Sequence, residues 1–160
     1  MATTEKLKFK LELYATMWNK PPIADITIDG KSYFKEEITN TNDKPAIIEF
    51  EQELEEGKSY NLIIDRLGKD KTQTIIEDEK IVKDQLLHIK SIEIDEIDVA
   101  SLVYDGVYKP DYPEPWASQQ AEAGNKPPEI IKNSIDLGHN GTWTFSFGTP
   151  FYMWLLENLY

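Results

Sequence analysis

The feature that most constrains this chain is a two-residue hydrophobic rhythm that returns along most of its length. In EKLKFKLELY, Leu7, Phe9, Leu11 and Leu13 face one way while Lys6, Lys8, Lys10 and Glu12 face the other. Successive side chains of an extended chain point to opposite sides, so this is a strand with one buried face. ADITIDGKSYF repeats the rhythm with Ile26 and Ile28, and Asp29-Gly30 supplies a turn. PAIIEFEQEL sets Ile48, Phe50 and Leu54 against Glu49, Glu51 and Glu53. Glu56-Gly57 is the next turn, and SYNLIIDRL follows with Tyr60, Leu62 and Ile64 inward. LGKDKTQTIIEDEKIVKD reads as a hairpin-like stretch, LLHIKSIEIDEIDV as another long alternating segment, and TWTFSF places Trp143, Phe145 and Phe147 on one face.

About seven or eight short strands, with turn signals roughly every 8–12 residues, read as a sandwich or barrel. The expected fold is all-β: an antiparallel, jelly-roll-like β-sandwich. At 160 residues the chain is expected to be one domain, residues 1–160. Two segments depart from the rhythm. Residues 104–133 carry five prolines, two glycines, three tyrosines and a tryptophan. Proline at that density excludes a central strand, so a long ordered Pro/aromatic loop is expected there. Residues 150–159 read as a short C-terminal helix, with Thr149 as its cap and Pro150 in its first turn.

Composition narrows the function classes. The net charge is −12, from 29 acids and 17 bases, a surface that repels nucleic acid and anionic lipid. Neither nucleic acid nor membrane is therefore an expected partner. No apolar run is long enough to span a bilayer. MATTEKLKFKLELY has charges where a secretory signal needs an apolar stretch, so none is expected. Cysteine is absent, which removes disulfides and thiolate metal sites.

Catalytic signatures are missing. There is no nucleophile elbow, no phosphate-binding glycine loop and no zinc-protease motif. His88 lies within an alternating segment and is expected to be a surface or hydrogen-bonded histidine; His139 sits in LGHNGTW, where Asn140-Gly141 predicts a type I′ hairpin. No enzyme is expected. Asp65, Asp70, Asp78, Asp84, Asp95 and Asp98 fall at or near strand ends, and IEIDEIDVA packs four carboxylates closely. Calcium takes six to eight oxygens, yet strand alternation lets at most a pair of these converge. Trp18, Tyr104, Tyr108, Tyr112 and Trp116 lie in loop-like contexts beside Asn, Asp and Gln. Aromatic platforms flanked by hydrogen-bonding groups suit sugar rings; the same residues could equally pin the long loop or bury at a subunit contact.

In the tail TPFYMWLLENL, Phe151, Trp154, Leu155 and Asn158 share one helical face, while Tyr152, Leu156 and Leu159 share another. A helix apolar on nearly every side needs more cover than one sheet gives. Phe151, Tyr152, Trp154, Leu155 and Leu156 are the expected partner-binding residues, with either the long loop or a second chain as the cover.

The stretch KDQLLHIKSIEIDEIDV, followed by NGTWTFSFGTPFYMWLLENL, resembles small virion-associated β-sandwich proteins of tailed phages, chiefly of marine and cyanobacterial hosts. The matching residues are Asn140, Gly141, Thr142, Trp143, Pro150, Phe151, Tyr152, Trp154, Leu155 and Leu156, in roughly the second half of the chain. That resemblance implies a structural component of a phage particle, located in the virion and assembled with other virion proteins or with itself. Those proteins are in turn distantly similar to calcium-dependent xylan-binding modules. Asp84-Gln85-Leu86-Leu87 keeps the aspartate and spacing of their final motif, with other residues where they carry Arg and Asn. This implies a second reading: a carbohydrate-binding module for a host or environmental glycan, using Trp18, Tyr108, Tyr112 and Trp116. Its cofactor would be calcium at Asp84; the residues themselves call for no cofactor.

Overall fold

The computed structural model describes residues 3–17, 20–68, 75–78, 80–99, 106–112, 116–132 and 135–159. Among them lie thirteen strands and two helices. In chain order these are β1 (Thr4–Thr16), β2 (Ile23–Ile28), β3 (Lys31–Glu37), β4 (Ala46–Glu55), β5 (Ser59–Leu67), β6 (Ile75–Glu77), β7 (Lys80–Lys83), β8 (Leu86–Ile94), β9 (Ile97–Asp98), β10 (Val107–Pro110), α1 (Trp116–Glu122), β11 (Ile131–Lys132), β12 (Asp136–Leu137), β13 (Gly141–Gly148) and α2 (Phe151–Leu159). One sheet has the order β12-β8-β1-β4, with β9 folded back on β8. The other has the order β11-β10-β13-β5-β2-β3, and β6-β7 form a separate hairpin. The pairings are antiparallel. The expectation of an antiparallel β-sandwich is borne out, and no helix among the described residues is long and apolar enough to cross a membrane.

The two-residue rhythm does build the core. Leu7, Phe9, Leu11 and Leu13 of β1 are buried, as are Ile26 and Ile28 of β2, Leu62 and Ile64 of β5, and Trp143, Phe145 and Phe147 of β13. Their partners across the gap join one cluster shared by both sheets. Aromatic rings run through it in sequence: Tyr33 on Phe50 at 4.3 Å, Phe50 on Phe9 at 5.1 Å, and Phe9 beside Phe147 at 5.9 Å. Each such ring buries roughly 150–250 Å², worth several kcal/mol at ~25 cal/mol per Å². Outside, Lys6 pairs with Glu51 and Lys10 with Glu93. These pairs are exposed, so they set the register of the outer face more than they stabilise it.

Asp29 and Gly30 both take positive φ, 51° and 79°, and close the β2–β3 hairpin in the predicted manner. Three expectations need correction. First, the IEIDEIDV segment is not one long strand. Asp95 and Glu96 both adopt positive φ, 52° and 66°, and fold β9 back on β8. Of the close carboxylates, Asp95 and Glu96 form the tight turn, where Asp95 Oδ1 accepts the Lys8 amide at 2.9 Å, while Glu93 and Asp98 lie opposite each other on the two strands. Second, Asn140-Gly141 does not close a hairpin, because β12 belongs to one sheet and β13 to the other. Gly141 answers a different need: a Cβ there would come within 2.4 Å of the Lys109 carbonyl. Third, the 104–133 segment is not without strands. β10 lies between β11 and β13, with its proline at the last position, where the chain leaves the sheet. Alternation across Val107-Tyr108-Lys109 overrode the proline signal.

Candidate functional site

A groove of about 470 Å³ opens where α2 meets the outer face of the second sheet. The size falls in the range of small-molecule sites, roughly 300–1,000 Å³. Its floor comes from positions that alternate away from the core: Asn61 on β5, Thr144 and Ser146 on β13, and Val107 and Lys109 on β10. Register places them together, since Ser146 lies opposite Asn61 and Val107 opposite Thr144. Ser146 Oγ donates to Asn61 Oδ1 at 2.7 Å, which fixes the amide and turns its Nδ2 donors outward from that bond. Four residues along the same strand pair, Thr142 donates to Asp65 at 2.7 Å.

The wall is aromatic. Trp154 and Asn158, one helical turn apart, border the groove from α2. The helix is held by three features. Glu5 Oε2 accepts the Phe151 amide at 2.9 Å; a carboxylate at a helix start satisfies an orphan N–H and complements the dipole. Phe151 and Leu155 are buried, and Trp154 meets Phe145 edge-on at 6.0 Å. Gly148 lets the indole lie against the backbone, since a Cβ there would stand 2.8 Å from Trp154 Cδ1. Thr149 does not cap α2, contrary to expectation. Its hydroxyl donates to the Glu55 carbonyl at 2.6 Å and faces the β4–β5 turn instead. An indole wall over a floor of amide, hydroxyl and ammonium groups offers one apolar surface and several convergent hydrogen bonds.

At the end of the sandwich where the β7–β8 and β12–β13 connections lie, a second polar centre is buried. Arg66 is 0% exposed. Its guanidinium donates to Gln85 O at 2.7 Å, Asn140 Oδ1 at 3.0 Å and Leu137 O at 3.3 Å. Burial pulls it down from its ordinary 12.5 to about 10, against the opposing pull of Tyr108 and Asp84, so it stays charged at neutral pH. Asp84 Oδ1 accepts the Gln85 amide at 2.8 Å. The structure thus gives Asp84 a local turn-holding role beside a fixed cation, and among the described residues no group of three or more His, Cys, Asp or Glu side chains is placed to hold a metal.

No protein-family model and no curated protein matches the chain. Solved structures do. The selenomethionine form of vCBM60, described as one of two families of calcium-dependent carbohydrate-binding modules linked by circular permutation, superposes with a TM-score of 0.51 at 9% identity. The alignment covers 87% of this chain and 89% of that one. vCBM60 in complex with galactobiose superposes with a TM-score of 0.50, again at 9% identity, over 86% and 96% of the two chains. The chain has the fold of a β-sandwich carbohydrate-binding module.

Within this β-sandwich the aromatic residues singled out from the sequence have separate fates. Trp18 lies outside the described residues, as does the side chain of Trp116, which opens α1. Tyr108 cannot offer its ring to a ligand: it is buried, and its hydroxyl donates to the His139 carbonyl and accepts the His139 amide. Tyr112 is half-buried at a shallow hollow, with its hydroxyl donating to Pro128 O at 2.7 Å. Of the five tail residues, Phe151 and Leu155 are spent on the chain's own core, and Trp154 faces the groove. Tyr152 and Leu156 stay exposed, at 57% and 59%, beside Met153. The sequence-based reading overlooked Asn61, Lys109, Thr144 and Ser146. The outward half of the alternation marked them as surface, but only the pairing of β5, β10 and β13 makes them neighbours.

His88 is hydrogen-bonded at both ring nitrogens, as expected of a satisfied histidine. Nε2 meets Thr16 Oγ1 at 2.8 Å, and Nδ1 meets Asp136 Oδ1 at 2.5 Å, while Tyr14 stacks on the ring at 4.4 Å. The order hydroxyl, imidazole, carboxylate matches a nucleophile relay, but acyl transfer also needs donors aimed at an oxyanion. Neither Thr16 nor His88 lines the groove beside Trp154.

Proposed function

We propose that this chain is a non-catalytic glycan-binding module that takes a sugar at the groove between Trp154 and the outer face of the second sheet. The observation that carries the reading is the groove itself: a half-buried indole facing a row of Asn61, Thr144, Ser146 and Lys109, on a fold shared with vCBM60. A pyranose has one apolar face and a rim of hydroxyls, so an aromatic wall plus convergent donors and acceptors is its complement. No step of this reading requires chemistry on the bound sugar. A glycan array identifies the ligand class, and calorimetry on the best hit tests the site. Asn61→Ala removes the amide donors and is expected to weaken binding about tenfold, near 1.4 kcal/mol. An array with no hits, or an Asn61→Ala variant that binds as tightly as wild type, overturns the reading.

A second reading, a structural component of a phage particle, rests on the resemblance of the chain's second half to virion-associated proteins. One observation favours it: Tyr152, Met153 and Leu156 form an exposed apolar row on α2. Mass measurement across a concentration series tests it, since an assembling component forms a defined oligomer and Leu156→Glu breaks it.

A further inference from the structure

The fold neighbour is calcium-dependent, yet the oxygens that would suit calcium at this end of the sandwich are already engaged. Calcium takes six to eight oxygens, typically carboxylates and carbonyls. Here Gln85 O from one stretch of chain and Leu137 O and Asn140 Oδ1 from another converge, and all accept N–H groups of Arg66. The Gln85 side chain extends the centre: its Nε2 donates to Lys20 O at 2.8 Å and Gly68 O at 3.4 Å. The ends of the β1–β2 and β5–β6 connections are thereby drawn to the same point. Asp84 accepts the adjacent amide, and its charge acts on Arg66. Among the described residues of this centre, one buried acceptor is left over, Gln85 Oε1. A single neutral oxygen falls far short of a calcium shell, and a divalent ion beside it would meet the buried guanidinium as a like charge.

We propose that Arg66 is the built-in cation of this end of the sandwich: its guanidinium ties the β7–β8 and β12–β13 connections to β5, the Gln85 side chain adds the β1–β2 and β5–β6 connections, and this end of the fold therefore stands without calcium. A planar fork with several donors can bridge oxygens from separate loops much as a metal does, but it is part of the chain and cannot be stripped by a chelator. The inference concerns folding and stands or falls separately from the glycan reading.

Thermal unfolding of the full chain in excess EDTA and in millimolar calcium tests it directly. The expected result is the same Tm in both, within about 1 °C, because an ion with no site adds nothing to the folded state. A saturable rise of several degrees in calcium overturns the proposal. Asp84→Asn provides an independent arm that does not remove the clamp. It is expected to lower Tm by about 2–4 °C equally in both buffers. A wild-type calcium response that disappears in Asp84→Asn would instead make Asp84 a calcium ligand, and the proposal would be wrong.

Discussion

Gly106 lies flat against the indole of Trp143: a Cβ on Gly106 would sit 2.3 Å from Trp143 Cζ2 and 2.4 Å from Cε2. Both residues are buried, and Trp143 is fully enclosed. The close approach fixes where the chain enters β10 over the floor of the core.

Gly106→Ala is therefore expected to destabilise the protein by about 2–3 kcal/mol, because neither a buried indole nor the backbone can yield that far without loss elsewhere. For a chain of this size the matching fall in Tm is roughly 5–10 °C. Chemical denaturation checks it, and a variant melting within a degree of wild type would show that the ring can move aside.

Much of this core was legible from period two alone. Leu7 to Leu13, Trp143, Phe145 and Phe147 are buried where alternation puts them. Connection was not legible. The rhythm says which face of a strand is wet, but not which sheet receives it, so Asn140-Gly141 looked like a hairpin although it joins two sheets. Tyr108 shows the same limit: in a proline-rich segment its ring looked available, yet four alternating residues were enough to bury it. The site was less legible still. Trp154 was placed correctly on the same helical face as Asn158, but the row it faces is assembled from three strands far apart in sequence.

Tyr108 also carries an alkaline signature. Burial raises its phenol from the ordinary 10.0 to about 12. Between those values the unfolded chain loses the proton and the folded chain keeps it, so stability falls as pH rises through that window. Comparison with Tyr108→Phe isolates the phenol. The stability of Tyr108→Phe relative to wild type is expected to improve by on the order of 2 kcal/mol between pH 10 and pH 12. Urea titrations at the two pH values read it, and a constant difference would contradict burial of the hydroxyl.

Glu5 anchors α2 by one charge-assisted bond to the Phe151 amide. Glu5→Gln keeps the size and removes the charge, and is expected to cost about 0.5–1 kcal/mol, concentrated in the helix. Hydrogen exchange should show faster exchange for Trp154 and Leu155 amides, with β1 and β13 unchanged. Uniform acceleration across the sheets would mean that the helix does not open on its own.

Gly148→Ala tests how the indole wall is held. The added methyl meets Trp154 Cδ1, so the ring must swing and the groove must change shape. Glycan affinity is expected to drop about tenfold or more with a smaller loss of stability than in Gly106→Ala, since Trp154 sits at the rim of the core. Tryptophan fluorescence with and without ligand follows the displaced ring, and unaltered affinity would remove Trp154 from the site.

The groove beside Trp154 is the proposed place of glycan binding. Titrating the isotopically labelled protein with the best array hit while following amide and indole resonances tests it most directly. Shifts are expected to cluster on Asn61, Lys109, Thr144, Ser146, Asn158 and the Trp154 indole. Shifts confined to Tyr112 and α1, or to the Asp84 and Asn140 end of the sandwich, would contradict it.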